Sequence, residues 1–496
     1  MSEVGRLFLE ALRFDRESLE ALEGRAERAL ELGVGGFILF GGEADRVAAM
    51  VARLRAAADR NLWIAADLER GPGQQFAGTP TLPPPAALSA HPDAEEATRH
   101  AGALTGRVAR QLGINWALAP VLDLDVEPDN PIVATRSFGS NPKRVGRLGA
   151  VWIDACQAEG TAACAKHFPG HGRTVTDSHI GLPRIEASRD ELLAELEPYR
   201  AVLDRVAAIM TAHVAFPALG GDGPATLEPA ILRDLLRDSM GFPGLVVTDA
   251  LIMGGFGATE ESEGALMVRA VRAGCDVLLY PQDLAASIRA VEDAVREDDA
   301  LARRVRDSVA RSEAVCSAHS GRALESGRPR DLESTDGKAA VAEESIVLAT
   351  GCVRGDPEPA RRALDRDAPV AVRLVSDDRR PPGLPPLGEA FRAELMRLGW
   401  SVAAADRGSG QPPGQRIVLL EATPQGWKGR AGLSRQALET VQTELAAARE
   451  AEQGVYLIVL GHARLLDSLP GPAACAWAAE PVMESAAARW IDGAIP

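Results

Sequence analysis

The sequence predicts an α/β fold: an N-terminal (β/α)8 barrel of the TIM type, followed by a smaller C-terminal α/β sandwich domain. Short apolar runs recur along the first ~280 residues, and a longer stretch with helical spacing follows each of them. The runs are apolar at successive positions, which is typical of strands buried on both faces of a parallel sheet. No GxGxxG motif follows the first run, which disfavours a doubly wound open sheet.

Eight such runs are present, and eight βα units in roughly 250 to 300 residues are typical of a closed barrel. In chain order the predicted strands are Leu7–Leu12, Gly36–Phe40, Leu62–Asp67, Asn115–Pro120, Ala163–His167, Ala207–His213, Gly244–Asp249 and Asp276–Pro281. Beyond the last of them the pattern is helical and charged to about Glu325.

A connection rich in Ser, Gly, Arg and Asp follows the predicted barrel, and this composition is typical of a linker. Apolar runs then return at Ser345–Thr350, Pro369–Val375, Gln415–Leu420 and Gly454–Leu460, with helical stretches such as Gly388–Leu398 and Ser434–Glu452 between them. We therefore predict a catalytic barrel domain over residues 1–320, a linker over 321–340 and an α/β sandwich domain over 341–496.

Composition and charge exclude several classes of partner. The chain has 54 basic and 70 acidic residues, a net charge of −16, which disfavours nucleic acid and anionic membrane surfaces as partners. No apolar run approaches the ~20 residues of a membrane helix, and the N-terminus lacks the pattern of a secretion signal, so we expect a cytoplasmic protein. The six cysteines are scattered, without a CxxC pair, and we expect them to be reduced and mostly buried.

Polar residues end four of the predicted strands, and the carboxyl ends of barrel strands build the active-site face. Strands give way to loops in any protein, so one polar residue at a strand end carries little weight. Four strand ends with residue types suited to chemistry favour a site. These residues are Asp67, Lys166, His167, His213 and Asp249.

The densest polar cluster is the run from Lys166 to Gly172, which is followed by Asp177-Ser178-His179. Lys166 and the histidine after it can donate hydrogen bonds to the hydroxyl groups of a ligand. Asp177 can orient the imidazole of His179 and raise its pKa, which makes His179 a candidate general acid or base.

Two other interpretations of this cluster remain open. His167, His171 and His179 could bind a divalent metal together with Asp177, but their spacing on a loop lacks the rigid helical placement of a zincin motif. A plain surface loop is the second alternative, and it leaves the concentration of His, Lys and Asp unexplained.

Asp249 follows a buried apolar strand, where a carboxylate has a desolvation cost unless it is paired with another group or has a chemical role. It is a candidate nucleophile toward an electrophilic carbon, and the alternative is an ordinary helix N-cap. A carboxylate nucleophile with a separate proton donor is typical of a retaining glycosidase. Here an Asp-polarised His would replace the usual second carboxylic acid.

The run Lys166-His167-Phe168-Pro169-Gly170-His171-Gly172, then four residues, then Asp177-Ser178-His179, resembles the signature of the bacterial β-N-acetylglucosaminidase branch of family 3 glycoside hydrolases. The resemblance covers most of residues 30–285. Further similar segments are Gly35–Phe40, Ala119–Asp123, Arg136–Gly139, Thr211–His213, Pro224–Leu227 and Val247–Leu251.

This resemblance implies a two-domain barrel enzyme that removes terminal β-linked N-acetylglucosamine with retention of configuration, without a metal or an organic cofactor. Asp249 matches the family's nucleophile, and Asp177 with His179 matches its acid/base dyad on a mobile loop. The family's sugar-binding positions match Asp67, Arg136, Lys166 and His167. His213 is placed to border the site. The resemblance also implies cell-wall muropeptide fragments as the small carbohydrate substrate.

The chain departs from the family pattern after the third predicted strand. Gln75 stands where a sugar-binding arginine is expected, and Arg70 replaces a glycine. Either Arg70 reaches the sugar from a different backbone position, or one charged contact to the ring hydroxyls is missing. This departure affects the identity of the sugar more than the type of reaction.

Two other functions remain open. An imidazole in place of a carboxylate removes a negative charge beside the anomeric centre, so phosphate could approach, and the chain could be a phosphorylase. It could also be a sugar-binding protein that kept the barrel and lost activity. The presence of both Asp249 and His179 argues against a pure binder, which needs neither.

Overall fold

The structure, a computed structural model, describes residues 3–176, 181–252, 261–320, 334–377, 385–403, 414–422 and 433–495. The chain divides into two compact units. The first comprises Met1–Pro80, Thr98–Val133 and Ser137–Lys338, and the second comprises Thr81–Ala97, Ala134–Arg136 and Ala339–Pro496. The two short stretches in the second unit are not predicted by the sequence pattern.

Eight parallel strands form one sheet in the first unit. They are β1 (Phe8–Arg13), β2 (Gly36–Phe40), β3 (Trp63–Ala66), β4 (Trp116–Ala117), β5 (Ala162–Phe168), β6 (Ala208–Thr211), β7 (Leu245–Val247) and β8 (Leu278–Leu279). Their hydrogen-bonded order is β8-β1-β2-β3-β4-β5-β6-β7, and a parallel bridge between Val247 and Val277 joins the two ends. The predicted barrel is confirmed, because each strand coincides with one predicted run.

Helices separate consecutive strands, as expected for βα units. Up to Ser320 the described helices are Leu19–Glu31, Ala44–Ala57, Pro85–Ala90, Ala94–Gln111, Pro142–Ala158, Arg189–Glu195, Glu197–Arg200, the π-helix Ala230–Ser239, Glu263–Ala273, Leu284–Glu297 and Asp299–Ser320. Short 3-10 helices span Glu3–Leu7, Pro72–Gln74, Ala134–Arg136, Pro217–Leu219 and Ala225–Leu227, and a hairpin pairs Ala215–Phe216 with Gly221–Pro224. Several helices begin at a side-chain cap that accepts a backbone N–H of the first turn. These caps are Ser18, Asn141, Ser188, Ser262 and Asp283.

The barrel interior is filled by every second residue of each strand. Inward residues include Leu9, Ala11, Ile38, Ala65, Cys164 and Val247, all of them buried. Because side chains alternate across a strand, the position two residues further on also faces inward, at the carboxyl-terminal mouth. The residues at these next positions are Arg13, Phe40, Asp67, Lys166 and Asp249. The pleat thus directs one aromatic and four charged side chains to a common opening.

The second unit contains four parallel strands in sequential order: β9 (Val370–Ser376), β10 (Gln415–Ala422), β11 (Gly454–Gly461) and β12 (Ala473–Cys475). From Pro357 onward its described helices are Pro357–Ala363, Glu389–Arg397, Arg435–Glu450 and Pro481–Ala494, with a 3-10 helix at Ala463–Ser468. One face of the sheet packs against Arg435–Glu450, which contributes Val441 and Leu445 to the core.

Ser345–Thr350 is not a strand, as its apolar run predicted, but part of the helix Thr335–Cys352. Its buried residues recur at helical spacing, at Val341, Ser345, Ala349 and Cys352. A short apolar run fits a strand and a buried helix equally well, so periodicity over six residues could not decide. The helix also includes the end of the predicted linker, and the Ser334 hydroxyl accepts a hydrogen bond from the N–H of Gly337 at its start.

All six cysteines are free and buried, as the sequence predicts. Within the described ranges, no helix combines the length and apolar character needed to cross a membrane.

A buried carboxylate at the amino-terminal end of β8 joins three arginines. Asp276 Oδ2 lies 2.5 Å from Arg237 Nη2, and its Oδ1 lies 2.9 Å from Arg304 Nη1 and 2.7 Å from Arg311 Nη1. The N–H of Val246 donates to Oδ2 at 2.9 Å. This carboxylate therefore ties two helices to the place where β7 meets β8 and the barrel closes.

We predict that Asp276→Ala lowers the free energy of unfolding of the barrel by about 3 to 5 kcal/mol, because three guanidinium groups lose their shared counter-charge. Urea denaturation followed by circular dichroism measures the change. The control is Asp293→Ala, which removes an exposed ion pair with Arg296 and should cost at most about 1 kcal/mol. An equal loss of unfolding free energy in the two variants would contradict the proposed contribution of Asp276 to the stability of the barrel.

Candidate active site

Lys166, in β5, lies between two carboxylates at the mouth of the barrel. Its Nζ is 2.6 Å from Asp67 Oδ1 and 2.8 Å from Glu69 Oε1. The lysine side chain is 3% exposed and that of Asp67 is 28% exposed. The ion pairs fix the position of the ammonium group, while the partly open Asp67 carboxylate can accept hydrogen bonds from the hydroxyls of a ligand.

His167, the next residue, is oriented by a fully buried carboxylate. Its Nδ1 lies 2.7 Å from Asp123 Oδ2, and Asp123 Oδ1 accepts the N–H of His171 at 2.7 Å. Burial alone would raise the pKa of Asp123, but His167 and His171 outweigh it and lower the pKa to about 2. Since the ionised carboxylate accepts at Nδ1, the Nε2 edge of His167 faces away from it and is available for other contacts.

Asp249 follows β7 and is half-buried. Burial raises the pKa of its carboxyl group, while the charges of His167, His213 and Lys166 and the N–H of Ala250 lower it, and the net pKa is below the ordinary value. The group is therefore ionised at neutral pH, which is the form that a carboxylate nucleophile needs.

The alternative role of Asp249 as a helix cap does not fit the next helix that the structure describes. That helix is Glu263–Ala273, and its N-cap is Ser262, whose side chain accepts the N–H of Ala265. The Oδ1 of Asp249 instead accepts the N–H of the adjacent Ala250 at 2.7 Å.

His213 is fully buried behind the loop that carries Asp249. Its Nδ1 lies 2.8 Å from Thr226 Oγ1, and its Nε2 lies 3.3 Å from the carbonyl oxygen of Ala250. Thr226 also contacts Thr211 through their hydroxyls at 2.8 Å. His213 therefore positions the backbone directly after Asp249.

The segment that leads to the predicted acid/base dyad is fixed by a buried amide. Asn130 Nδ2 donates to the carbonyl of His171 at 2.7 Å, and its Oδ1 accepts the N–H of Val133 at 2.8 Å. Arg173 forms an ion pair with Glu195 at 2.7 Å. Asp177 and His179 lie outside the described residues, so their pairing and roles stay predictions.

The sequence also singles out Arg136, Gln75 and Arg70. Arg136 ends the 3-10 helix Ala134–Arg136, which groups with the second unit, and its role as a sugar ligand stays a prediction. Gln75 Oε1 accepts the N–H of Gly41 at 3.4 Å. The N–H of Arg70 donates to Gln74 Oε1 at 2.9 Å. The side chain of Gln75 is thus directed to the loop after β2.

Among the residues that the structure describes, no group of three or more His, Cys, Asp or Glu side chains could hold a metal ion. Two of the four residues considered for a metal, Asp177 and His179, lie outside that part of the chain.

Sequence reasoning missed Glu69 and Asp123 as members of the site. Glu69 follows Asp67 by two residues, and Asp123 lies shortly after the fourth predicted strand. In both cases the sequence offers one signal of membership in the site, which is an acidic residue soon after the end of a strand. The partners of Glu69 and Asp123, however, lie on β5, far along the chain, and no local pattern reveals them.

Comparisons with known proteins agree with this architecture. The model of the glycosyl hydrolase family 3 N-terminal domain matches residues 13–315. A β-N-acetylglucosaminidase/β-glucosidase of Cellulomonas fimi is 31% identical over 405 residues, which are 76% of this chain and 70% of that protein.

Solved structures share the fold. The family 3 β-N-acetylglucosaminidase of Paenibacillus sp. str. FPU-7 is 27% identical, with a TM-score of 0.79 over 100% of this chain and 96% of that one. The β-glucoside phosphorylase BglX bound to 2FGlc has a TM-score of 0.83 over 100% and 92% of the two chains. Its identity is 19%, so this likeness concerns the fold alone.

We predict that the stabilising effect of Asp123 is lost only in strong acid. Its pKa falls from 3.8 in the unfolded chain to about 2 in the folded protein, equivalent to about 2.5 kcal/mol. A lowered pKa stabilises the fold above the unfolded value, and that contribution is lost as pH falls through the folded value. Asp123→Asn should therefore be less stable than wild type at pH 7 by about 2 to 3 kcal/mol, with a difference that shrinks between pH 4 and 2.

Urea denaturation of both proteins at pH 7, 5, 4 and 3 measures this difference. A difference that stays constant over the whole range would show that the Asp123 charge does not stabilise the fold.

Proposed function

The chain belongs to glycosyl hydrolase family 3 and is a glycoside hydrolase, and from this membership we propose that it removes terminal β-linked N-acetylglucosamine with retention of configuration. The Cellulomonas fimi relative is named a β-N-acetylglucosaminidase/β-glucosidase and the Paenibacillus relative a β-N-acetylglucosaminidase, and both names support this sugar. The observation that carries the reaction type is the position of the Asp249 carboxylate at the barrel mouth, two residues after the inward-facing Val247, where its pKa lies below the ordinary value.

In the proposed first step, an oxygen of Asp249 attacks the anomeric carbon. The bond to the leaving oxygen breaks, and His179, protonated and oriented by Asp177, gives that oxygen its proton. In the second step, His179 takes a proton from water, and the water oxygen displaces Asp249 from the anomeric carbon. Two inversions give net retention, and neither step uses a metal or an organic cofactor.

The proposed sugar ligands lie around Lys166. Asp67 offers a partly exposed carboxylate, and His167 offers the ring edge that faces away from Asp123. We propose Arg136 as a further ligand on the basis of the sequence motif. The source of the substrate, cell-wall muropeptide fragments, is proposed on family resemblance alone.

We predict that Asp249→Ala lowers kcat/KM for p-nitrophenyl β-N-acetylglucosaminide by about 10⁴-fold or more, because the covalent intermediate cannot form. Azide should restore part of the turnover and yield an α-glycosyl azide, since a small anion can take the place of the missing carboxylate. Asp234→Ala, which alters an exposed ion pair with Arg233, serves as the matched control with unchanged activity. Normal turnover in Asp249→Ala would eliminate Asp249 as the nucleophile.

His179→Ala should impair hydrolysis of a natural disaccharide more than that of the p-nitrophenyl glycoside, because p-nitrophenolate needs little protonation. Parallel kinetics on the two substrates measure this contrast. A loss of equal size on both substrates would argue against His179 as the acid.

The phosphorylase alternative is tested in the same assay with added inorganic phosphate. The proposed hydrolase releases free N-acetylglucosamine at a rate that does not depend on phosphate. Faster turnover with formation of a sugar 1-phosphate would identify a phosphorylase instead.

A further inference from the structure

Arg13, the last residue of β1, occupies an inward position at the active-site mouth. It pairs in register with Phe40, the last residue of β2. Leu9 and Ala11 belong to the barrel core, so strand alternation directs the next odd-numbered side chain of β1 inward as well. Arg13 is therefore not an outward-facing arginine of the barrel surface.

The register continues from Arg13 to the predicted sugar ligands. Ile38 of β2 pairs with Ala65 of β3, so the positions two residues on, Phe40 and Asp67, are neighbours around the mouth. Asp67 in turn contacts Lys166. Around the ring of strands, β1 lies two strands from β3, which leads to Asp67, and two strands from β7, which leads to Asp249.

The guanidinium of Arg13 is held in one orientation. Its Nε and Nη2 donate to the two oxygens of Asp15 at 3.0 and 2.8 Å, and its Cζ lies 4.6 Å from the centre of the Phe40 ring. The side chain is 18% exposed. A fixed, planar and only partly exposed donor is suited to directional hydrogen bonding, and its Nη1 edge is turned away from the carboxylate.

Tyr280, directly after β8, flanks the same group. Its ring centre lies 5.7 Å from that of Phe40, and its hydroxyl interacts with the guanidinium of Arg13. Its φ is 56°, in the left-handed region that non-glycine residues rarely adopt, while its N–H donates to Leu9 O at 3.0 Å. Such outliers concentrate at functional sites, and this one lies at the mouth beside Arg13.

A purely structural role for the ion pair of Arg13 and Asp15 explains these observations less well than a role in ligand binding. The exposed Arg16 also lies 3.5 Å from the Asp15 carboxylate, with a side chain that is 71% exposed. Arg16, on the surface, is thus already close enough to neutralise the Asp15 carboxylate. Burying a second guanidinium at the mouth costs hydration, which a contact with a ligand would offset.

We propose that Arg13 is a specificity-determining residue of the active site, donating a hydrogen bond to a ring hydroxyl of the sugar between Asp67 and Asp249. This inference rests on the proposed glycosidase function and extends it to a position that the motifs do not include.

Steady-state kinetics of wild type, Arg13→Ala, Arg13→Lys and Arg16→Ala on p-nitrophenyl β-N-acetylglucosaminide test the proposal. Arg13→Ala should lose about 10- to 100-fold in kcat/KM, the usual effect of removing a charged donor from a ligand. Arg13→Lys keeps the cation but not the planar fork and should lose less. Arg16→Ala, which touches the same carboxylate from the surface, should stay within about twofold of wild type.

A second measurement separates contact with the sugar from a structural effect. The same kinetics are run on the 3-, 4- and 6-deoxy analogues of the substrate. For the analogue that lacks the contacted hydroxyl, wild type and Arg13→Ala should have equal kcat/KM, whereas structural damage would lower it on every analogue.

Unchanged kinetics in Arg13→Ala, or an equal loss on the parent and all three analogues, would overturn the assignment of Arg13. Absence of turnover by wild type itself would overturn the proposed glycosidase function, and the inference with it. The two failures are therefore distinguishable.

Discussion

The hydrogen bond between His167 and the buried Asp123 carboxylate is the interaction on which the rest of the site depends. Asp123 has almost no exposed surface, yet it stays ionised because His167 and the N–H of His171 face it. The same carboxylate therefore orients an imidazole and fixes the backbone that begins the following loop. The positive potential of His167 then lowers the pKa of Asp249 across the mouth. His213, the N–H of Ala250 and Lys166 lower the same pKa, against the raising effect of burial.

The two ends of the barrel use buried charge in opposite ways. At the amino-terminal end, Asp276 is enclosed by three arginines, the N–H of Val246 and the hydroxyl of Ser308. At the carboxyl-terminal end, the side chains of Asp67 and Asp249 keep part of their surface open. Closed networks at one end stabilise the barrel, and partly open ones at the other can exchange a protein contact for a ligand contact. This division matches the general separation of stability and chemistry in barrels of this type.

The barrel could be predicted from the sequence because strands buried on both faces give continuous apolar runs, and their ends mark the mouth. The positions of Lys166 and Asp249 at the mouth were predicted in this way. Asp123 and Glu69 were not, since a buried ion pair is defined by a partner far along the chain. The prediction of a strand at Ser345–Thr350 was wrong for a different reason. Six apolar residues show too little periodicity to distinguish a strand from a buried helix. The assignment of Thr81–Ala97 to the second unit depends on long-range contacts, which no local pattern contains.

Arg13 and Gln75 belong to one connected region of the mouth. Gln75 accepts the N–H of Gly41, and a Cβ on Gly41, whose φ is 66°, would lie 2.6 Å from the Cβ of Asp15. Asp15 in turn holds the guanidinium of Arg13. The loops after β1, β2 and β3 are therefore packed together, through the close approach of Gly41 to Asp15 and the hydrogen bond from Gly41 to Gln75.

A guanidinium on a barrel strand, fixed by a bidentate carboxylate and an aromatic face, is positioned more rigidly than one carried by a loop. In the role proposed for Arg13, recognition of the sugar depends in part on a strand residue whose geometry the barrel itself sets. Asp15 and Phe40 contact Arg13 directly, whereas Gln75 is linked to it through Gly41 and Asp15, so a change at position 75 acts on Arg13 indirectly.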